Sequence, residues 1–110
     1  MAANRRRGEV CATIDGQERR LCLTLGALAE LEDAFRVDDV TALAERFGTG
    51  RLSARDLVRV IGAGLRGAGG EASDEAVAAM RFENGAAGAA RLAAELLAAA
   101  FGEPEDAARP

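Results

Sequence analysis

A chain of 110 residues with 49% hydrophobic and 29% charged side chains has the size and make-up of one globular domain, one that buries about 65% of its unfolded surface. It carries no His, Lys, Trp or Tyr. Those gaps remove the ordinary general base near neutral pH, the imidazole metal ligand, the Schiff-base amine and the P-loop lysine. No enzyme activity, cofactor or metal is therefore expected, and no catalytic, cofactor-binding or metal-ligating residue is assigned. The net charge of −4 is unevenly spread, since without Arg5, Arg6 and Arg7 the body keeps 11 arginines against 18 acids, a charge of −7. A body that acidic is poorly suited to a phosphate backbone, so no nucleic acid is expected as a partner.

Residues 1–7 read as a flexible basic arm, residues 8–102 as a single α+β domain, and residues 103–110, with two prolines and an acidic bias, as a disordered tail. Residues 1–20 contain no apolar run of the signal-peptide kind, and nothing approaches the length of a transmembrane helix. Cytoplasmic localisation without membrane attachment is the expectation.

The first element is a hairpin. Asp15-Gly16 lies between alternating apolar residues, and both tolerate the positive φ that a type I′ turn needs. Val10, Ala12, Leu21 and Leu23 occupy one face, with Cys11 and Cys22 on the other. A four-residue loop would set the cysteines opposite each other; a two-residue loop would offset them. In a reducing cytoplasm they read as two thiols, with a disulfide as the alternative, and two thiols alone are too few ligands for zinc.

Helices fill the rest. The first starts at the N-cap Thr24 and buries Leu28, Leu31 and Phe35 with Ala27 and Ala34, while Glu30, Glu32 and Asp33 face water. The second is capped by Asp38 or Asp39, carries Val40, Leu43, Ala44 and Phe47 as its stripe, and ends at a left-handed Gly48. The third opens on Ser53, with Asp56 as an acidic capping-box residue and Leu52 against Leu57 as a staple. Its stripe is Leu57, Ile61 and Leu65, and Gly67, Gly69 and Gly70 then break it. Ser73, Asp74 and Glu75 open a fourth helix with Val77 and Met80, ended by Asn84-Gly85. The fifth runs from about Ala87 to Phe101 and turns Leu92, Leu96, Leu97 and Ala100 to one side. The fold expected is α+β: an N-terminal two-stranded antiparallel hairpin followed by a body of about five helices.

Two motifs invite a ligand. Gly62-x-Gly64-x-x-Gly67 matches the dinucleotide fingerprint, which works only where a strand runs into a glycine turn and a helix N-terminus meets the pyrophosphate. Here a helix cap precedes the glycines and no helix follows them, so they read as small positions for close packing. The second and third helices could form a helix-turn-helix, yet the third offers only Arg55, Arg59 and Arg66 in place of a basic, amide-rich reading face.

Three blocks carry a resemblance. They are Arg7-Gly8-Glu9-Val10 with Ile14-Asp15-Gly16; then Leu23-Thr24-Leu25-Gly26-Ala27-Leu28-Ala29-Glu30-Leu31-Glu32; then Leu52-Ser53-Ala54-Arg55-Asp56-Leu57. In this order and spacing, across residues 7 to 101, the chain resembles a family of small phage-derived proteins from the tail-morphogenesis clusters of gene transfer agents and related prophages. The resemblance implies an N-terminal hairpin before a helical body. It also implies a tail assembly chaperone that holds the tape-measure protein while the tail tube polymerises and is absent from the finished particle. Its partners would be the tape-measure protein and the tail tube protein, with self-association left open. Some descriptions of the family name a tail tube protein, so a structural tube component is the first alternative and a small DNA-binding regulator the second. No catalytic residue is carried over, and the partner-binding residues stay unassigned. Docking through apolar helix faces would depend little on salt, whereas a contact through the Arg5–Arg7 arm would weaken strongly as salt rises.

Overall fold

In the computed structural model, which describes residues 8–102, Asp15 and Gly16 both take positive φ, at 53° and 78°. The basic arm at 1–7 and the acidic tail at 103–110 lie outside the described residues. This two-residue turn sets the register of β1 (Glu9–Ile14) on β2 (Gln17–Cys22), with Ile14 opposite Gln17 and Val10 opposite Leu21. Glu9 faces Cys22 and Cys11 faces Arg20, so the cysteines are offset, and no disulfide joins them. Val10, Ile14 and Leu21 are buried on the inner face.

Five helices follow: α1 (Leu25–Phe35), α2 (Val40–Gly48), α3 (Ala54–Gly67), α4 (Asp74–Ala78) and α5 (Gly85–Phe101). Four begin at a side-chain cap, which satisfies an N–H that the helix itself leaves unpaired. Thr24 Oγ1 accepts from Ala27 at 3.1 Å, Asp39 Oδ1 from Ala42 at 2.8 Å and Ser73 Oγ from Ala76 at 3.1 Å. At α3 the capping box is complete: Asp56 N–H donates to Ser53 Oγ at 3.1 Å and Ser53 N–H to Asp56 Oδ2 at 3.0 Å.

α3 is the axle of the fold. β2, α1, α4 and α5 all pack on it, and every residue from Val60 to Leu65 is buried. The glycines of the fingerprint make this crowding feasible. A Cβ at Gly64 would sit 3.1 Å from Leu96 Cδ1 and 3.3 Å from Leu21 Cβ, and one at Gly67 would overlap the Cys22 carbonyl oxygen. A Cβ at Gly62 would collide with Asp74 Oδ1, where α4 begins. The three are packing positions between α3 and its neighbours.

Several sequence expectations need correction. On α1 only Ala27, Leu28 and Leu31 are buried, while Ala34, Phe35 and Glu32 are half-buried at the edge of the core. Gly48 is the last residue of α2 and not its left-handed stop; Thr49 caps the helix, and Gly50 takes φ 75°. Val40 is 40% exposed, so only Leu43 and Phe47 of the α2 stripe are buried. On α3, Leu57 is half-buried and the buried run lies further along, from Val60 to Leu65. α4 is a single turn ending at Ala78, and Asn84-Gly85 does not close it. Residues 81–83 instead run against the outer edge of β1. Asp15 N–H donates to the Arg81 carbonyl at 2.8 Å, Glu83 N–H donates to that of Thr13 at 3.3 Å, and Ile14 bridges to Phe82. Asn84 and Gly85, at φ 68° and 65°, then turn the chain into α5.

Candidate functional site

No group of three or more His, Cys, Asp or Glu able to hold a metal ion exists among the described residues. The charged side chains that do gather are structural. Arg66 donates to Glu30 Oε1 on α1 at 2.8 Å, to Asp74 Oδ1 at 3.1 Å and to the Ala72 carbonyl at 2.8 Å. It thereby ties α1 and the start of α4 to α3. The Glu30 hydrogen bond outweighs partial burial and, with Asp74, raises the Arg66 pKa above the ordinary arginine range.

A second cluster forms the corner of α1, α2 and α3. The Phe35 and Phe47 rings meet edge to face, 5.1 Å apart at 88°. Arg46 lies over both rings, at 5.0 and 5.9 Å, and donates to Asp56 Oδ1 at 3.3 Å. Arg59 stands over the Phe35 ring at 5.9 Å. Apart from Arg46 over its own helix neighbour Phe47, each contact joins two elements.

These placements bear directly on the helix-turn-helix reading. Of the arginines expected to face DNA from α3, Arg59 is stacked on Phe35 and Arg66 is committed to Glu30 and Asp74. Only Arg55 is exposed. A helix covered by β2, α1, α4 and α5 cannot enter a DNA groove without dismantling the core.

Beside a polar opening of about 420 Å³ lined by Glu18, Arg19 and Arg20, the fold leaves two apolar grooves open. α5 buries Ala89, Leu92, Ala93, Leu96 and Leu97, but its apolar arc is wider than this inner face. Ala90, Ala94, Ala98 and Phe101 lie along an adjacent face, where they form one wall of a groove of about 570 Å³. Ala44, Phe47 and Gly48 of α2 and Leu52 before α3 form the other wall. A second groove of about 310 Å³ runs beside the start of α5, between Leu57, Val58 and Ile61 of α3 and Met80, Phe82 and Ala86. Both are open troughs with helical residues on most of their walls and loop residues at Gly50, Leu52, Met80 and Phe82.

Sequence reasoning had left the partner-binding residues unassigned and missed this surface. Its one available signal was the i, i+4, i+8 spacing of Ala90, Ala94 and Ala98, which fits a core face or a surface face equally well. The expected stripe of Leu92, Leu96 and Leu97 is buried as read, and Ala100 is half-buried.

Among the described residues, no helix is long and apolar enough to cross a membrane. A two-stranded sheet packed on α3 and α5 and five helices with open apolar grooves make up the described fold. A protein-family model described as "Phage tail tube protein, GTA-gp10" matches residues 7–103. The chain belongs to this family of phage and gene-transfer-agent tail proteins. No curated protein and no solved structure matches it.

Proposed function

We propose that this chain is a tail assembly chaperone, acting in the cytoplasm of the bacterial host, that binds helical segments of the tape-measure protein during tail morphogenesis. The observation that carries the reading is the pair of open apolar grooves along α5. Amphipathic helices dock into such grooves through apolar anchors at i, i+3, i+4 and i+7, and a tape-measure protein, long and helical, offers many of them. Membership of a phage-tail family supports the setting.

A structural tail tube component is the second reading, favoured by the wording of the family description. Against it stands the size of the sheet: two strands and one isolated bridge among the described residues. A tube wall built from packed sheets needs more strands than that.

Co-purification of the chain with tape-measure fragments, followed by mass spectrometry of finished particles, tests the choice. The chaperone reading expects a complex before assembly and no chain in the particle. Copy numbers in the particle comparable to those of the tube subunit would defeat it and leave the tube reading.

A further inference from the structure

Asn84-Gly85 joins the segment at 81–83, which runs along the edge of β1, to the start of α5. Of the chain's two asparagines, Asn4 precedes Arg5 and Asn84 precedes Gly85. We propose that Asn84 is a modification site, at which the chain deamidates itself through a cyclic imide. The hydrogen bond from Gly85 N–H to the Phe82 carbonyl sets the rate.

The step needs only the chain and water. The main-chain nitrogen of Gly85 attacks Asn84 Cγ, so a C–N bond forms as the bond from Cγ to the side-chain nitrogen breaks. The departing amide leaves as ammonia, carrying the proton that Gly85 N gives up. Water then opens the five-membered imide. Attack at Cγ restores the main chain and leaves aspartate at 84. Attack at the Asn84 carbonyl carbon routes the main chain through the side chain as isoaspartate, one carbon longer.

Several observations place the reaction at Asn84. Gly85 has no side chain to crowd its nitrogen, whereas Arg5 crowds the nitrogen that follows Asn4. Asn84 is exposed, so water reaches it, and its side chain makes no capping hydrogen bond to α5. Its amide is therefore free to swing toward the main chain. The aspartate product is compatible with the site, since it puts a carboxylate at the N-cap of a 17-residue helix. It also adds a negative charge next to the apolar groove lined by Phe82, Gly85 and Ala86.

The folded chain restrains the reaction. Gly85 N–H donates to the Phe82 carbonyl at 2.9 Å, and a nitrogen holding its proton in a hydrogen bond is a poor nucleophile. Phe82 is itself held, because it bridges to Ile14 and its neighbours are bonded to the hairpin. Arg81 N–H donates to Asp15 Oδ1 at 2.8 Å, and Glu83 N–H to the Thr13 carbonyl at 3.3 Å. The segment at 81–83 must leave β1 before the ring can close, a local opening that the rest of the core need not share.

Incubation of the full chain at mildly alkaline pH, folded and in urea, with peptide mass spectrometry over time, tests both parts. In urea, Asn84 should deamidate well ahead of Asn4, and folding should slow Asn84 at least about tenfold. Asp15→Gly keeps the freedom of the turn and removes the acceptor for Arg81 N–H, so it should speed the folded chain about 2–10-fold. Ser53→Ala lowers global stability by a similar amount at the cap of α3 and should leave the folded rate unchanged. An Asn84 that stays intact in urea would overturn the site. Equal rates with and without urea would overturn the gate. So would a Ser53→Ala chain that reacts as fast as Asp15→Gly, because the opening would then be global unfolding.

Discussion

Gly67→Ala and Gly48→Ala are the same substitution at the last residue of two helices, and they should change stability in opposite directions. Alanine favours a helix over glycine by roughly 0.5–1 kcal/mol, less in a terminal turn. At Gly48 a Cβ meets nothing within 4 Å, so that preference stands alone, and a gain of about 0.5 kcal/mol is expected. At Gly67 the new Cβ would overlap the Cys22 carbonyl oxygen and lie 3.4 Å from Ala27 Cβ. The obstacle is the backbone at the end of β2, not the tip of a flexible side chain, so β2 and α3 must separate. Overpacking of this kind costs about 1–3 kcal/mol, leaving a net loss of about 1–2 kcal/mol once the helix preference is returned. For a domain of this size, 1 kcal/mol is about 4–8 °C in Tm. Gly67→Ala should therefore melt about 5–15 °C lower, and Gly48→Ala a few degrees higher. The chain has no Trp or Tyr, so urea and thermal unfolding are best followed by far-ultraviolet circular dichroism. A Gly67→Ala protein as stable as Gly48→Ala would refute the claim that close approach, and not a turn or a ligand, places glycine there.

Arg36 closes α1 at φ 57°, a left-handed conformation that glycine adopts without a Cβ penalty, so Arg36→Gly should raise stability by about 0.5–1 kcal/mol in urea titrations. Ser53→Ala removes one half of the capping box and should cost about 1 kcal/mol. Asp56→Ala should cost at least as much, because Asp56 is 6% exposed and also receives Arg46. Leu96 is fully buried against Gly64. Leu96→Ala should lose about 2–5 kcal/mol by cavity formation, a large share of the stability of a small domain, and its melting curve should show it.

The legible parts of this fold are those decided by neighbours in sequence. Ser53 and Asp56 cap each other across three residues, and Asp15-Gly16 adopts its turn whatever surrounds it, so both were readable without coordinates. The fingerprint glycines were correctly set aside for the same reason: a helix cap stands before them where a strand would be needed. The misreadings all have a tertiary cause. Asn84-Gly85 is a left-handed pair that could end the fourth helix or begin the fifth. Pairing of Phe82 with Ile14, a contact across sixty-eight positions of sequence, decides it. Gly48 and Gly50 were both able to stop α2, and local chemistry does not choose between them. The candidate site was the least visible. An alanine stripe has the same period whether it faces a core, a groove or water, and only the position of α2 across from Ala94 separates the three.

That position also explains why the groove stays open instead of collapsing. Apolar walls facing each other across a gap should close, unless one wall is fixed by contacts elsewhere. α2 is fixed by such contacts. Phe47 meets Phe35 of α1 edge to face, and Arg46 spans both rings to reach Asp56, which is itself committed to the α3 cap. Moving α2 toward α5 would pull Phe47 from Phe35 and strand the buried Asp56 without its arginine. Aromatic pairing and cation–π contact contribute about 0.5–1.5 and 0.5–1 kcal/mol respectively, with the Asp56 ion pair beside them. The corner that stabilises the α1–α2–α3 junction therefore also fixes the α2 wall of the groove.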